Sequence, residues 1–336
     1  MDHTLDALRE LLPAIAEREA ADPDTFPRQT IADLYRIGLP SAPFAKALGG
    51  SGCSLPEATK LIETLAGASA SAALVIAMPL GLAGVYDAIV PVVPDQHREA
   101  FLRQLEQVAS DFAAARIYAA CNSERGAGGS LAATKTFVEP ADDGTIRISG
   151  EKILASSGRD AYRFFSTAQV PPGLIDGAAA VEFFLVPTIA PGVAVIEDWD
   201  GFGMRSTASH TVRYSQAPVE ALMGFPNLLA VAQPLQYFYV LFAAVSLGAA
   251  GAMLRALGEP APSSPALRQR LVEASMRYEA LRAYLLETAA LFRPAAGPAY
   301  AARVLRTKTF VTQEATKLAA ELFALSGGKQ DRKSVV

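Results

Sequence analysis

A chain of 336 residues that is 51% hydrophobic is long enough to bury most of its unfolded surface, in two or three domains. Charged residues make up only 19% and the formal net charge is −4, so no broad basic field exists to hold nucleic acid or an anionic membrane surface. Two cysteines, Cys53 and Cys121, lie far apart without metal-ligand spacing, which argues against a disulfide framework and a zinc site. No metal is expected, and a cytoplasmic location fits an N-terminus (Met1, Asp2, His3, Thr4) without a visible secretory signal.

From Leu5 to about Phe112 apolar residues recur at three- and four-residue steps, as in Leu5, Leu8, Leu12, Ile15 and again Ile31, Leu34, Ile37, which predicts helices. Glycine and proline should cut this region into short ones: Gly38, Pro40 and Pro43 stop a helix, 49–52 forms a loop, and Pro56 with Glu57 opens the next. From about Ala113 to Gly224 the period becomes strand-like, with short β-branched or aromatic runs at 136–138, 146–148 and 181–186 and a hairpin turn at Asp142, Asp143, Gly144. After Pro226 long alanine-rich helices return over 235–257, 266–292 and 299–325. The apolar stretch 237–257 is long enough to cross a membrane, but its Ala243, Ala244, Gly248, Gly251 and neighbours read better as a buried helix at a domain or subunit interface than as a span. The expected architecture is multidomain α+β: a helical domain at 1–112, a β-barrel or sandwich at 113–225, and an incomplete helical bundle at 226–336.

Gly126, Gly128 and Gly129, between Asn122 and Ser130, follow a predicted strand. They make a poor dinucleotide fingerprint, because the third glycine is misplaced and no crossover helix follows. Such a loop still brings backbone N–H groups and the Ser123 or Ser130 hydroxyl against a flat polar ligand, or else is a plain surface turn. A second polar cluster, Gly150 to Lys152 and then Ala155 to Gly158, lies one hairpin downstream, so the two loops can meet. Arg205 reads either as an anion ligand or as a turn-stabilising arginine. His3, His97 and His210 have no triad partners in sequence, and Glu124 and Glu151 are not distinguishable by spacing from ordinary loop carboxylates.

Taken together these residues resemble the acyl-CoA dehydrogenase superfamily. The run Cys121, Asn122, Ser123, Glu124, Arg125, Gly126, Ala127, Gly128 resembles the first flavin loop, T-E-P-G-A-G-S-D, and Gly150 to Ser156 is similar to the segment G-x-K-x-W-I-T. The entry residues Phe26, Pro27, Gly38, Leu39 and 49–52, the turn Gly203, Met204, Arg205, and the late Leu325, Ser326, Gly327, Gly328 fall in register with further landmarks. The resemblance implies an FAD site formed by Ala120, Cys121, Asn122, Ser123, Gly128, Gly129, Ser130, Leu154, Ala155 and Ser156. In it Ser123 lies on the flavin pyrimidine, the Ser156 hydroxyl lies near flavin N5, and Leu154 replaces a tryptophan wall. It also implies a small-molecule substrate, an acyl thioester, and a homodimer or homotetramer.

Two departures qualify the expectation. The R-x-x-F-G motif that binds the dinucleotide in the family is replaced at 258–265 by Gly, Glu, Pro, Ala, Pro, Ser, Ser, Pro, and the family's arginine by the acyl group falls near Phe242. The catalytic glutamate of most members lies beyond the Gly327, Gly328 turn, so no catalytic residue is assigned. Residues 331–336 can be encoded by GAT CGG AAG AGC GTC GTG, the start of a sequencing adapter, and the natural sequence is therefore expected to end near Gln330 with the last helix missing. The expected reaction is α,β-dehydrogenation of an acyl thioester. The alternatives are a flavin monooxygenase of the dibenzothiophene-desulfurising type and a non-catalytic homologue.

Overall fold

The computed structural model describes residues 2–127 and 130–326. The first layer is helical: α1 (Asp2–Ala21), α2 (Arg28–Arg36), α3 (Leu55–Ala66), α4 (Ala70–Ile89) and α5 (Asp95–Ala113). The expectation of short helices is wrong here, since α1 and α4 each run 20 residues and α5 runs 19. Pro13 and Pro79 sit inside α1 and α4 without ending them. A mid-helix proline costs about 3 kcal/mol, and in α4 this is offset by burial of every residue from Ala70 to Tyr86 except Leu74. Helix starts follow local chemistry: the Ser54 N–H donates to Glu57 Oε2 at 2.7 Å at the head of α3, and Ser69 Oγ accepts from the Ala72 N–H at 2.9 Å at the head of α4.

Eight strands follow: β1 (Tyr118–Ala120), β2 (Phe137–Pro140), β3 (Ile146–Ala155), β4 (Arg163–Gln169), β5 (Val181–Pro187), β6 (Val193–Ile196), β7 (His210–Pro218) and β8 (Ala221–Leu222). They form one mixed sheet in the order β6-β7-β3-β2-β4-β5-β8, with β1 parallel to β4. The hydrogen-bonded path runs from β6 to β8 around one apolar core, which is the expected central β domain built from a single sheet. The predicted hairpin joins β2 to β3, where Gly144 adopts φ +77° and Asp143 Oδ1 accepts from the Thr145 N–H.

Strands β4 and β5 carry apolar residues on both faces. Phe164, Phe184 and Val186 enter the sheet's own core, while Phe165, Phe183 and Leu185 face the helices. Continuous burial on both sides removes the polar alternation of a half-exposed strand. Buried charge also joins the layers, because Asp111 on α5 accepts from Arg163 Nη1 at 2.6 Å and from the Tyr118 hydroxyl at 2.7 Å. At the surface Arg28 pairs with both oxygens of Asp160.

The chain then returns to helix as α6 (Leu228–Ala232), α7 (Leu235–Gly258), α8 (Pro265–Ala290) and α9 (Pro298–Ser326). Two helical segments, Ala70–Val92 and Leu235–Gly258, are long and apolar enough to cross a membrane. Both pack into the protein core, as expected for 237–257. Small residues make this possible: a Cβ at Gly81 of α4 would stand 2.6 Å from the Phe238 ring, and one at Gly248 of α7 would strike the Glu63 carbonyl oxygen of α3. Several large apolar side chains of the last two helices remain exposed, among them Met276, Leu305, Phe310 and Phe323.

Because the Glu63 carbonyl is backbone and cannot turn aside, Gly248→Leu is expected to cost about 1–3 kcal/mol by overpacking. Gly258→Ala, at a position with open space around its Cβ, serves as the control. Thermal melts at equal protein concentration check this, and equal midpoints for the Gly248 variant and the parent would remove α7 from the core.

Candidate functional site

The site begins where β1 runs out. The Cys121 N–H donates to the Phe165 carbonyl at 3.0 Å, and Asn122 Oδ1 then accepts from the Thr167 N–H at 2.8 Å, so a side chain continues the ladder that the backbone has left. Ser123 forms an isolated bridge with Ile153, whose N–H donates to the Ser123 carbonyl at 2.8 Å. The two polar loops therefore meet, as their spacing suggests.

A buried ion pair fixes that meeting. Lys152 has no exposed surface, and its ammonium group donates to Glu124 Oε1 at 2.7 Å, Thr134 Oγ1 at 2.9 Å and Thr167 Oγ1 at 3.3 Å. Three donors thus find three acceptors. Glu124 also accepts from the Lys135 and Thr136 N–H groups at 2.6 and 3.1 Å, from Thr136 Oγ1 at 2.8 Å and from the Thr134 hydroxyl. Burial alone would raise the Glu124 pKa, but Lys152, Thr134, the Lys135 N–H and Thr136 outweigh it and hold the carboxyl at about 2. Burial draws the Lys152 ammonium below its usual range, against the opposing pull of Glu124. Both side chains are fully engaged in structure, so neither is free for acid–base work.

Beyond Lys152 the pairing of β3 with β7 slips between Lys152 and Ala155. Leu154 lies in this bulge at φ +61°, a left-handed conformation that leucine seldom adopts, and it is 49% exposed. The bulge turns Leu154 out of the sheet while Lys152 and Ala155 stay buried. Leu154 helps line a cavity of about 220 Å³ between the sheet and the helices. Ala120, Asn122, Ser123 and Leu131 contribute from the loops, Phe165 and Phe183 from β4 and β5, Met78 from α4, Leu235, Phe238, Tyr239 and Phe242 from α7, and Lys308 from α9.

Of the residues expected to bind flavin, the structure thus gathers Ala120, Asn122, Ser123 and Leu154 in one wall. Cys121 and Ala155 point into the core of the sheet, where burial pushes the Cys121 thiol up to about 11. The Ser156 hydroxyl is buried against Ser209 Oγ at 2.9 Å, and Ser209 is met in turn by Thr207 at 2.7 Å. Ser130 is exposed. Gly128 and Gly129 lie outside the described residues, as do Gly327, Gly328 and residues 331–336. Arg205 bonds Asp24 at 2.5 Å, Asp200 and the Gly201 carbonyl, which ties the α1–α2 loop to the connection between β6 and β7 and leaves the turn-stabilising reading. Glu151 pairs with Arg213 on the surface, and His210 Nδ1 accepts from the Trp199 N–H. Sequence reasoning missed the aromatic wall and Lys308. The signal for the former is the helical spacing of Leu235, Phe238, Tyr239 and Phe242, which is the same stripe that any core-facing helix shows.

Glu124→Gln leaves the Lys152 charge buried without its partner and is expected to cost about 3–5 kcal/mol at pH 7, with the double variant Glu124→Gln/Lys152→Met recovering part of it. A carboxyl held from its ordinary 4.5 down to about 2 stabilises the fold fully above pH 4.5, and that contribution is lost as pH falls toward 2. Urea unfolding of parent and double variant across that window should therefore show the steeper acid loss in the parent. Parallel curves would contradict the assignment.

Comparison with known proteins agrees with this geometry. The acyl-CoA dehydrogenase N-terminal domain family matches residues 6–116 and the acyl-CoA dehydrogenase middle domain family matches residues 119–217. L-evernosamine nitrososynthase of a Micromonospora species is 30% identical over 223 residues, 65% of this chain but only 50% of the relative, so the chain spans about half the length of that protein. A probable acyl-CoA dehydrogenase of Bacillus subtilis is 25% identical over 96% of this chain and 87% of its own. A solved structure of KijD3 with FMN and a dTDP-linked amino keto sugar superposes with a TM-score of 0.80 at 24% identity, covering 97% of this chain and 84% of that one. Two consecutive family domains in register, a relative matched along nearly its full length and a shared helix–sheet–helix fold give one conclusion: the chain belongs to the acyl-CoA dehydrogenase superfamily.

Proposed function

We propose that this protein is a flavin-dependent oxidoreductase whose cavity seats the flavin ring, and that its reaction is oxygenation of a small substrate by reduced flavin and O2. The cavity suits a flat ring. Phe165, Phe183, Phe238 and Phe242 supply aromatic walls, while Asn122 and Ser123 supply polar groups for a heterocycle edge. At about 220 Å³ it lies below the roughly 300–1,000 Å³ of a complete ligand site, so it takes a ring and leaves a phosphate-bearing tail outside.

The observation that carries the oxygenase reading is Leu154, which faces the cavity where the family has a tryptophan and so opens that side of the pocket. Bound flavin supplies the redox and oxygen chemistry. The protein's part is then to orient the ring through Asn122 and Ser123, to keep water out with phenylalanine, and to shape one face with Leu154 where the family has tryptophan. Similarity to a nitrososynthase supports this reading.

Of the two flavins, FMN suits the chain better than the FAD that the family resemblance implies. The segment after α7 offers the diphosphate no arginine, and Arg268 is spent on the Pro262 and Ser263 carbonyls at 2.8 and 2.7 Å. The dehydrogenase reading keeps one specific support, the match to the Bacillus protein over 96% of the chain.

Ser123→Val is expected to weaken flavin retention by roughly 1–3 kcal/mol, the value of one or two hydrogen bonds. Equilibrium titration followed by visible absorbance checks this, and unchanged affinity would move the ring away from Ser123. Under air, the loaded protein should consume oxygen when supplied with reduced flavin and substrate. Anaerobic bleaching of the bound flavin by an acyl-CoA would instead favour the dehydrogenase.

A further inference from the structure

Lys308 is the cation in the cavity wall, and its charge has no protein partner among the described residues. On the same helix Arg303 pairs with Glu287 at 2.9 Å and Lys317 with Glu314 at 2.7 Å, while Arg306, exposed, shares with Lys308 the lack of an ion pair among the described residues. Lys308 is instead half-buried, with Nζ 4.6 Å from the centre of the Tyr239 ring. A cation held over an aromatic face keeps its direction but not its neutrality. The surrounding wall is apolar, so water screens the charge poorly and an anion placed there interacts more strongly than it would in solvent.

We infer that Lys308 is the counter-ion of a planar ring bearing an oxyanion, bound in this cavity. The flatness comes from the phenylalanine walls, and the negative charge answers an ammonium in the cavity wall that has no ion pair among the described residues. Two sources share this chemistry: a substrate carboxylate or phenolate, and the anionic edge of a reduced flavin. Naming them rests on the cavity being the flavin site proposed above. The pairing of Lys308 with an aromatic oxyanion does not.

The test compares benzoate with its neutral counterpart benzamide, by calorimetry on the chain without flavin, in the parent, Lys308→Met and Lys308→Arg. The parent should prefer benzoate by about tenfold or more, the worth of one charge-assisted hydrogen bond. Lys308→Met should lose that preference, and Lys308→Arg should keep most of it. In a second arm the midpoint potential of bound flavin is measured in the parent and Lys308→Met. A fall of about 30 mV, which is tenfold for a two-electron couple, assigns the anion to reduced flavin. An unchanged potential with a lost benzoate preference assigns it to substrate. A folded Lys308→Met protein that matches the parent in both arms would overturn the inference. Failure of either protein to take up flavin would count against the proposed function, while the benzoate comparison would still decide the role of Lys308.

Discussion

Placing an ammonium group where it has no exposed surface is tolerable only if each of its protons meets an acceptor and its charge meets a carboxylate. Lys152 imposes that requirement on the centre of this fold. Its side chain reaches from β3 to Glu124 on the preceding loop and to Thr134 and Thr167 on two further segments, so four pieces of chain converge on one nitrogen. Once Glu124 is drawn inward, Ser123 pairs with Ile153 and Asn122 bonds β4. The same bulge that keeps both Lys152 and Ala155 inside leaves Leu154 facing outward. The residues facing the cavity are thus consequences of satisfying a charge that does not itself line it.

The opposite side of the cavity depends on close approach rather than charge. Gly81 and Gly84 on α4 admit the Phe238 and Tyr237 rings of α7, and Gly248 lets α7 lie against the backbone of α3. With α7 held at that depth, the Phe238 ring lies tilted against Phe165 of β4 with centroids 5.8 Å apart, and Phe242 follows 6.3 Å beyond it. The alternating faces of β4 and β5 complete the arrangement, since Phe165 and Phe183 are the members that look toward the helices. The cavity forms where the outward face of the sheet meets the ring-bearing face of α7.

Much of the architecture is legible in the sequence because period and punctuation are local properties. The switch from helical to strand spacing near Ala113, the Asp143–Gly144 hairpin and the three long C-terminal helices all follow from neighbours within a few residues. Helix length in the first domain is not legible in the same way: Pro79 looks like a stop until tertiary burial outweighs its local cost. The site divides along the same line. Ser123 and Leu154 stand in motifs whose loops can be paired by eye, but Glu124 and Lys152 look like any loop carboxylate and any strand lysine until their partners 28 residues apart are brought together. Ser156 shows the same dependence on geometry that is not local, since past the bulge its hydroxyl is buried against Ser209 and does not line the cavity. Lys308 carries no local signal, because its place in the cavity wall over the Tyr239 ring is set by how α9 packs on α7.

The central claim is that these loops and α7 form the seat of a flavin ring, and the most direct measurement is an experimental structure of the protein with FMN. The ring should lie between the Asn122–Ser123 loop and the Phe238 and Phe242 side chains, beside Leu154. Ring density elsewhere, for instance in the cleft beside Phe137 and Val170, with the 220 Å³ cavity empty, would contradict the account.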